Sequence, residues 1–354
     1  MHILILKTSS LGDIIQVFPA VTALKKHFPD ALIDWVAEKP FCELLEAHPL
    51  LNRVIPIEGR KWKKEKWKSR QEIKRAIQML RFSKYDLLFD FQGNIKSGLI
   101  TLFTRAFKKV GYTFTSAPEW PNSLCLSHRY LISSDLPMQT HYFSLVQKHF
   151  KLSEELLEYN LQFKISAEEE CWIDKQLKGK SSPSFMVCMG SQWENKKLSL
   201  QTWTAFLKKI HKEVSPFLFF VWGSEKEKQE AETLHEHFSS VSQVLPRMRL
   251  PVWQRLMDRM DYILATDSGA LHLAATTSTS TFSVFGPSHA KVYQPMGERH
   301  HAFQGECPYG RIFEKRCPIL RTCKTGACLK DAPSEKIAEQ FLLSYSKERS
   351  VIFR

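Results

Sequence analysis

The sequence predicts an α/β protein with two doubly wound, Rossmann-like domains that face a cleft. Short apolar runs of strand length alternate with stretches of helical period, and this alternation restarts near the middle of the chain. At 354 residues the chain is long enough for two ordinary domains, each with its own core. We place these domains at 1–165 and 166–332, followed by a C-terminal helix and tail at 333–354.

The first half of the chain alternates predicted strands with predicted helices. The strands are the apolar runs 2–7, 32–38, 53–57, 85–91 and 108–112, and the helices are 14–28 and 71–82. A further helix begins within 136–163, and a polar stretch at 153–158 follows it. We expect the linker between the domains at 163–168.

The second half repeats this order of strands, turns and helices. Its strands with their following turns are 184–191, 217–223, 242–246, 262–269 and 280–288, and its helices are 200–214, 224–238 and 332–348. Ser334 is expected as the N-cap of the last helix, because a serine hydroxyl at that position accepts a backbone N–H of the first turn.

Composition and charge exclude several classes of protein. The chain is 43% hydrophobic and 25% charged, as soluble globular proteins are. No apolar run approaches the roughly 18–20 residues of a membrane span, and the N-terminal run is too short for a signal peptide, so we expect a cytoplasmic protein. The net charge of +13 predicts an anionic partner, which is a nucleic acid, an anionic membrane surface or a phosphorylated substrate.

Much of the positive charge lies in the segment 60–84, whose acids are Glu65 and Glu72. A solvated helix face and a phosphate-binding surface both fit this composition. Trp62 and Trp67 interrupt the basic residues, and tryptophan beside lysine suits a membrane interface. These tryptophans favour the binding surface.

The eight cysteines fall into two groups. Four are scattered, as expected for reduced thiols of a cytosolic protein: Cys42, Cys125, Cys171 and Cys188. The other four cluster near the C-terminus: Cys307, Cys317, Cys323 and Cys328. Their gaps of nine, five and four residues differ from the paired CxxC spacing of a zinc site. A metal site and a redox-sensitive loop stay open as alternatives to simple packing.

Ligands of open α/β sheets bind beyond the carboxyl ends of the strands, so the turns there are candidate sites. These turns are 8–13, 189–197, 222–227 and 266–272. In the last of them Ser268 and Gly269 open a helix, whose free amides favour a phosphate. Asp267 is expected to accept hydrogen bonds from sugar hydroxyls, and His272 either packs inside or contacts the phosphate. An ordinary N-cap is the alternative.

The turn 189–197 carries Ser191, Lys196 and Lys197 directly after a predicted strand. A lysine at this position can neutralise a leaving diphosphate without a metal, although two surface lysines before a helix would have the same sequence. Glu227, in the turn 222–227, is a candidate acceptor for ribose hydroxyls or a merely solvated helix residue.

Asp13 ends the first turn, which has one glycine where a dinucleotide-binding fingerprint has three. We predict that Asp13 lies near the N-terminus of a helix, where the helix dipole keeps a carboxylate ionised. There it can take a proton from an acceptor hydroxyl as a general base. A helix-capping aspartate is the alternative interpretation.

Taken together, these segments resemble the lipopolysaccharide heptosyltransferases of glycosyltransferase family 9, and most of all the type I enzymes. The resemblance rests on "KTSSLGDIIQVFPA", "DWVAE", "RVIPIEGRKWKKEKW", "YDLLFDFQGNIKSG", "WGSEKEKQEA", "VLPRMRL", "DSGALHLAA" and "FSVFGPS", in this order. It implies a GT-B fold with an acceptor-binding first domain, an ADP-heptose-binding second domain and a C-terminal helix that packs back towards the first.

The same resemblance assigns roles to individual residues. Asp13 matches the catalytic base, and Lys196 the lysine that contacts the diphosphate. The donor-binding positions are Ser10, Ser191, Lys196, Glu227, Met248, Asp267, Ser268, Gly269 and His272. The acceptor-binding positions are Arg60, Trp62, Lys63, Lys64, Gln92 and Lys96. The implied reaction is an inverting, metal-independent transfer of heptose from ADP-heptose to Kdo-lipid A at the cytoplasmic face of the inner membrane. The resemblance also implies a monomer that uses no cofactor.

Other functions compete with this interpretation. Heptosyltransferase II, or a relative that uses another nucleotide sugar, is the alternative within the enzyme class, and the four-cysteine tail resembles that of heptosyltransferase II. A basic nucleic-acid-binding protein would explain the charge, but the aromatic residues do not form the stacking pattern of a known RNA module. A non-catalytic sensor of nucleotide sugars would bind the donor without turnover.

Overall fold

The computed structural model describes residues 1–65, 68–153 and 160–352, and the chain divides into two compact units, Met1–Lys164 and Ile165–Arg354. Within the described ranges each unit contains a six-stranded parallel sheet with helices, so the predicted α/β class is confirmed. No helix of these ranges is long and apolar enough to cross a bilayer.

The sheet of the first unit has the strand order β3-β2-β1-β4-β5-β6. Its strands are β1 (His2–Leu6), β2 (Leu32–Glu38), β3 (Arg53–Ile57), β4 (Tyr85–Asp90), β5 (Ala106–Tyr112) and β6 (His128–Tyr130). The five predicted strands are confirmed, because strands buried on both faces read as continuous apolar runs. The edge strand β6, a polar tripeptide, is not predictable from such a run.

The helices of the first unit are α1 (Leu11–Ile15), α2 (Phe18–His27), α3 (Cys42–Glu46), α4 (Gly59–Lys64), α5 (Arg70–Phe82), α6 (Ile95–Phe103) and α7 (Met138–Phe150). The helix predicted at 14–28 is wrong as a single element. Pro19 lies in the first turn of α2 and has no N–H to donate to the preceding turn, so the chain forms two helices there.

The sheet of the second unit has the order β12-β11-β10-β7-β8-β9. Its strands are β7 (Ser184–Cys188), β8 (Phe217–Val221), β9 (Ser242–Val244), β10 (Tyr262–Thr266), β11 (Ser280–Phe285) and β12 (His300–Gln304). Its helices are α8 (Ala167–Leu177), α9 (Leu200–Val214), α10 (Glu225–His237), α11 (Leu250–Met257), α12 (Gly269–Ala274), α13 (Ala290–Tyr293), α14 (Ala327–Lys330) and α15 (Ser334–Ile352). The predicted strands and the helices at 200–214 and 224–238 are confirmed; β12, α8, α11, α13 and α14 are not among the predicted elements.

The last helix begins one residue earlier than its predicted N-cap implies. Ser334 is the first residue of α15 rather than its N-cap, since the carbonyl of Pro333 accepts the N–H of Ile337 at 3.2 Å. Ile337 and Phe341 are fully buried in the core of the second unit, together with Phe185 of β7. These contacts anchor α15 to the second unit.

Candidate active site

Asp13 is the third residue of α1, in the turn that follows β1. The backbone N–H and the hydroxyl of Ser10 both donate to Asp13 Oδ2, at 3.1 and 2.7 Å. Ser10 is the N-cap of α1 and has an extended backbone. The predicted position at a helix N-terminus is confirmed, and the capping interaction that was the alternative is present as well.

Gln92 connects the turn of Asp13 to the neighbouring turn after β4. Its Oε1 accepts the backbone N–H of Thr8 at 3.0 Å and the Thr8 hydroxyl at 3.3 Å. Because β1 and β4 pair side by side, their carboxyl ends bring these two turns together. The structure thus places Gln92 beside the segment that leads into α1.

Asp90, which sequence reasoning missed, organises the turn that carries Gln92. This fully buried carboxylate accepts the backbone N–H groups of Gln92 and Gly93 at 2.9 and 3.0 Å. It also accepts from Ser97 Oγ at 2.8 Å and Asn122 Nδ2 at 2.6 Å. Burial outweighs these hydrogen bonds and raises the pKa of Asp90. An aspartate that ends an apolar strand was the signal that could have found it.

Lys96 and Trp62 are held by carboxylates. Lys96 Nζ pairs with Glu38, whose other carboxylate oxygen accepts the N–H of Gly59 at 3.1 Å, at the start of α4. Trp62 Nε1 donates to Glu72 of α5 at 3.2 Å. These contacts join α4 to the end of β2 and to α5.

The structure describes the side chains of only some of the other residues that are predicted to bind the acceptor. Lys64 is exposed at the end of α4. The side chains of Arg60 and Lys63 lie outside the described part of the structure, and so does the whole of Trp67.

Lys196 and Asp267 form the centre of the candidate site in the second unit. Lys196 Nζ lies 2.5 Å from Asp267 Oδ2, and both side chains are nearly inaccessible to solvent. The hydroxyl of Ser288 donates to the same carboxylate oxygen. Burial opposes ionisation of Asp267, but the Lys196 ammonium and these hydrogen bonds hold its pKa below the ordinary value. The turns after β7, β10 and β11 therefore meet at one buried charge pair.

A second charge pair stands beside the first. Lys197 Nζ lies 3.5 Å from Glu227 and 3.2 Å from the exposed Glu194. Glu227 also accepts the N–H groups of Gly223 and Ser224, at 2.9 and 3.1 Å, at the start of α10. The Glu227 carboxylate is thus a capping group of α10 that also faces the turn after β7.

Gly190 is required for the approach of the Glu227 carboxylate. A Cβ on Gly190 would stand 2.7 Å from Glu227 Oε1, which is closer than such contacts allow. Thr266 Oγ1 donates to the carbonyl of Gly190 at 2.9 Å and ties the end of β10 to this turn. Ser191, the next residue, is half-buried, and its hydroxyl lies 3.5 Å from the N–H of Trp193.

Ser268, Gly269 and His272 are brought together as predicted at the start of α12. Ser268 is the N-cap, with an extended backbone, and its Oγ is buried without a hydrogen-bond partner among the described residues. His272 is buried one turn further along. A buried hydroxyl of this kind can accept or donate a hydrogen bond to a ligand at the helix start.

Met248 lines a pocket of about 330 Å³ between α8 and the segment that leads into α11. The lining also includes Trp172, Pro246 and Val252, together with the charged residues Glu168, Glu169, Arg247 and Arg249. Sequence reasoning missed Trp172, because it lies on a helix that was not predicted. Apolar and aromatic side chains in a pocket lining suit a planar ring system.

The C-terminal cysteine segment supports the turn of Lys196. Asn195 Nδ2 donates to the carbonyl of Leu320, and Gly326, at φ 63°, packs directly against Asn195. Burial, reinforced by the neighbouring thiols of Cys307, Cys323 and Cys317, raises the pKa of Cys328 to about 11. In the described ranges no three His, Cys, Asp or Glu side chains are grouped closely enough to hold a metal ion.

A protein-family model described as glycosyltransferase family 9 (heptosyltransferase) matches residues 73–322, well over half of the chain. The chain belongs to glycosyltransferase family 9. It is therefore an enzyme, a glycosyltransferase of the heptosyltransferase family, and the family expected from its sequence segments is confirmed.

Proteins named heptosyltransferase 1 and proteins named heptosyltransferase 2 are both similar to this chain. Lipopolysaccharide heptosyltransferase 1 of Pseudomonas aeruginosa is 27% identical over 326 residues, which cover 91% of this chain and 89% of that protein. Lipooligosaccharide heptosyltransferase 2 of Campylobacter jejuni is 22% identical over 349 residues, covering 96% and 97%. The solved structure of E. coli heptosyltransferase WaaC with ADP has a TM-score of 0.75 at 24% identity and covers 86% of this chain and 93% of that one. This likeness supports the GT-B class of fold.

Proposed function

We propose that this family 9 enzyme transfers L-glycero-D-manno-heptose from ADP-heptose to a Kdo residue of Kdo-lipid A, with inversion and without a metal. In this reaction Asp13 takes the proton of the acceptor hydroxyl while the hydroxyl oxygen attacks the anomeric carbon. The bond from that carbon to the diphosphate breaks, and ADP leaves with the electron pair. Ser10 orients the Asp13 carboxylate.

The observation that carries this proposal is the arrangement of carboxylate and lysines at the carboxyl ends of the strands. Asp13 is fixed by two hydrogen bonds from Ser10 after β1. Lys196 and Lys197 are buried after β7, and each is paired with an acid of a neighbouring turn. We infer that Lys196 supplies positive charge to the departing diphosphate, and that Asp267 holds the ammonium in place for it.

The donor-binding role is supported by three further features of the second unit. The hydroxyl of Ser268, which has no hydrogen-bond partner in the described part of the chain, and the start of α12 suit a phosphate oxygen. Glu227, at the start of α10, is suited to accept ribose hydroxyls. The pocket of Met248 and Trp172 is of a size and character that suit adenine.

The type I acceptor is preferred because of the relatives' identities. Proteins named lipopolysaccharide heptosyltransferase 1 are 25–27% identical to this chain, against 21–22% for those named heptosyltransferase 2. Heptosyltransferase II stays the second candidate, since the Campylobacter jejuni type 2 relative aligns over 96% of this chain. We further propose that the enzyme works at the cytoplasmic face of the inner membrane, where a lipid-linked acceptor is held.

Measurement of ADP release from ADP-heptose tests this function. We expect release with Kdo-lipid A and little with Kdo-lipid A that already bears one heptose; the reverse preference would make the enzyme heptosyltransferase II. Asp13→Asn should lower kcat by about 10²–10⁴-fold, the usual contribution of a general base. Asp30→Asn, at an exposed turn of the same unit, is the matched control and should retain wild-type rates. Full activity of Asp13→Asn would exclude the proposed base.

A further inference from the structure

We propose that the outward face of α6, together with the turn at Trp120–Cys125, inserts into the headgroup region of an anionic lipid bilayer. This inference deepens the proposed function by identifying how the enzyme docks on the membrane that holds its acceptor. It stands on the composition of one surface, which we call the α6 face: Ile95, Leu99, Leu102 and Phe103 of α6, with Trp120 and Leu124.

The α6 face is unusual because every exposed residue of the helix is apolar. Ile95, Leu99, Leu102 and Phe103 are 51%, 54%, 57% and 44% exposed. Their spacing of four, three and one residues forms a single stripe along the helix. Lys96, the one charged residue of α6, is turned aside to pair with Glu38.

The inward side of α6 is small and polar, which is the reverse of an ordinary surface helix. Ser97, Gly98 and Thr101 are the buried residues of α6. A helix normally buries its apolar stripe and exposes its polar one. Ile100 packs on the core, but the exposed apolar side chains of α6 do not contribute to it and are available to another apolar medium.

The neighbouring turn extends the α6 face. Gly98 of α6 approaches Asn122 and Cys125 so closely that a Cβ would lie 3.4 Å from the Asn122 Cα and 3.2 Å from the Cys125 Sγ. From this turn Trp120 and Leu124 are 60% and 63% exposed. Tryptophan is enriched at the water–bilayer interface because its ring is apolar and its N–H is polar.

Positive charge flanks the α6 face on one side. α5 lies beside α6, and Met79 of α5 and Ile100 of α6 pack on the same core cluster. The exposed basic residues of α5 and of the segments after α5 and α6 are Arg70, Lys74, Arg75, Arg81, Lys84 and Arg105. The acid of α5, Glu72, is already paired with Lys61 at 2.7 Å. An apolar stripe beside a basic one is the pattern of a surface that binds anionic lipid headgroups.

Two other occupants fit this surface less well. In a second copy docked through a twofold axis, the basic stripe would face either itself, with like charges opposed, or a surface without a matching acidic stripe, depending on the direction of the axis. A nucleic acid would use the basic residues but would leave the leucine and isoleucine side chains without a partner. A bilayer with anionic lipids offers an apolar medium to the apolar stripe and negatively charged headgroups to the basic stripe.

Co-sedimentation of the full chain with lipid vesicles tests the proposal. We expect the wild-type chain to bind phosphatidylcholine vesicles that contain phosphatidylglycerol. The variant Leu99→Glu/Leu102→Glu should lose at least about tenfold in its partition coefficient, because two inserted side chains become charged. Leu343→Glu on α15, where Leu343 is 72% exposed, is the matched control and should bind like wild type. Arg75→Glu/Arg81→Glu should weaken binding only to the vesicles with phosphatidylglycerol.

Three results would overturn the proposal. Wild-type binding of Leu99→Glu/Leu102→Glu to vesicles is the first. The second is loss of self-association in that variant, measured by sedimentation velocity, with unchanged vesicle binding, since the α6 face would then be a contact between copies. The third is loss of nucleic-acid binding with unchanged vesicle binding. ADP release with a delipidated, water-soluble Kdo acceptor should be unchanged in the variant, so a failed catalytic proposal and a failed docking proposal give different results.

Discussion

Lys196 and Asp267 lie 71 residues apart in sequence, yet their Nζ and Oδ2 atoms are 2.5 Å apart in the second unit. The pair is nearly inaccessible to solvent, and Ser288 donates to the same carboxylate. A buried ion pair of this kind fixes geometry more than it stabilises, because both charges lose their hydration. We infer that it presets the direction of the Lys196 ammonium.

Replacement of Lys196 by methionine is expected to destabilise the second unit strongly. Lys196→Met leaves the Asp267 carboxylate buried without its cation, which costs about 3–5 kcal/mol of unfolding free energy. Lys196→Met/Asp267→Asn should recover part of this loss, as measured by urea denaturation. Lys209→Met removes an exposed pair with Glu335 and should leave the midpoint unchanged. Equal stability of the single and double variants would contradict the interpretation.

Asp90→Asn is expected to disturb both stability and catalysis. Both carboxylate oxygens of Asp90 accept hydrogen bonds, and the amide would put an NH₂ group in place of one of them, where it would face other donors. This change should lower the free energy of unfolding by about 2–4 kcal/mol. The contact of Gln92 with Thr8 would shift with the turn, so kcat should fall as well. Asp86→Asn, at an exposed position of the same strand, is the control for denaturation and for ADP release. A stable Asp90→Asn with wild-type kcat would mean that the turn forms without the carboxylate.

Stability should depend on pH through His48. Burial, with a smaller effect of the Lys164 charge, lowers the pKa of His48 to about 3, from 6.5 in the unfolded chain. At a pH between about 3 and 6.5, His48 is therefore protonated in the unfolded chain but not in the folded one. The free energy of unfolding should fall as the pH drops below 6.5, by up to about 1.4 kcal/mol per pH unit. His48→Gln should flatten this dependence in urea denaturation at pH 7, 6 and 5. A His48→Gln variant with the same pH dependence as the wild type would contradict this assignment.

Gly326→Ala is expected to disturb the turn that carries Lys196, because the added methyl group would press against Asn195. Gly326 has φ 63°, and a Cβ there would lie 2.9 Å from the Asn195 Cα. Gly310 has a similar φ of 68° but nothing within 4 Å of its Cβ position. Gly310→Ala should thus cost about 1 kcal/mol of unfolding free energy from backbone strain alone. Gly326→Ala should cost more and should also raise the KM for the donor, as measured by ADP release; equal effects of the two would disprove the contact.

Much of the fold is predictable because both sheets are parallel and buried on both faces. Apolar runs then coincide with strands, as at 32–38 and 53–57, where the predicted and observed bounds agree. α6 is not among the predicted helices, although Ile95, Leu99 and Leu102 follow a helical period; the sequence alone does not reveal that this apolar stripe faces outward. The polar edge strands β6 and β12 also give no apolar run.

The candidate site is predictable at the level of turns but not of contacts. The rule that ligands bind at the carboxyl ends of strands selects Asp13, Lys196 and Asp267. It does not reveal that Lys196 and Asp267 pair with each other, because that contact depends on the positions of two turns around different strands. Asp90 has its role only through donors from three parts of the chain.

The support of Asn195 by the carbonyl of Leu320 has a consequence for biosynthesis. The two residues are separated by 125 positions, so a ribosome adds the bracing segment long after the turn it braces. The first unit can mature while the remainder of the chain is still being translated. The turn of Lys196 gains its brace only when the C-terminal segment has been added. Chains truncated before 320 lack both this brace and the core residues of α15, so we expect their second unit to stay incompletely folded.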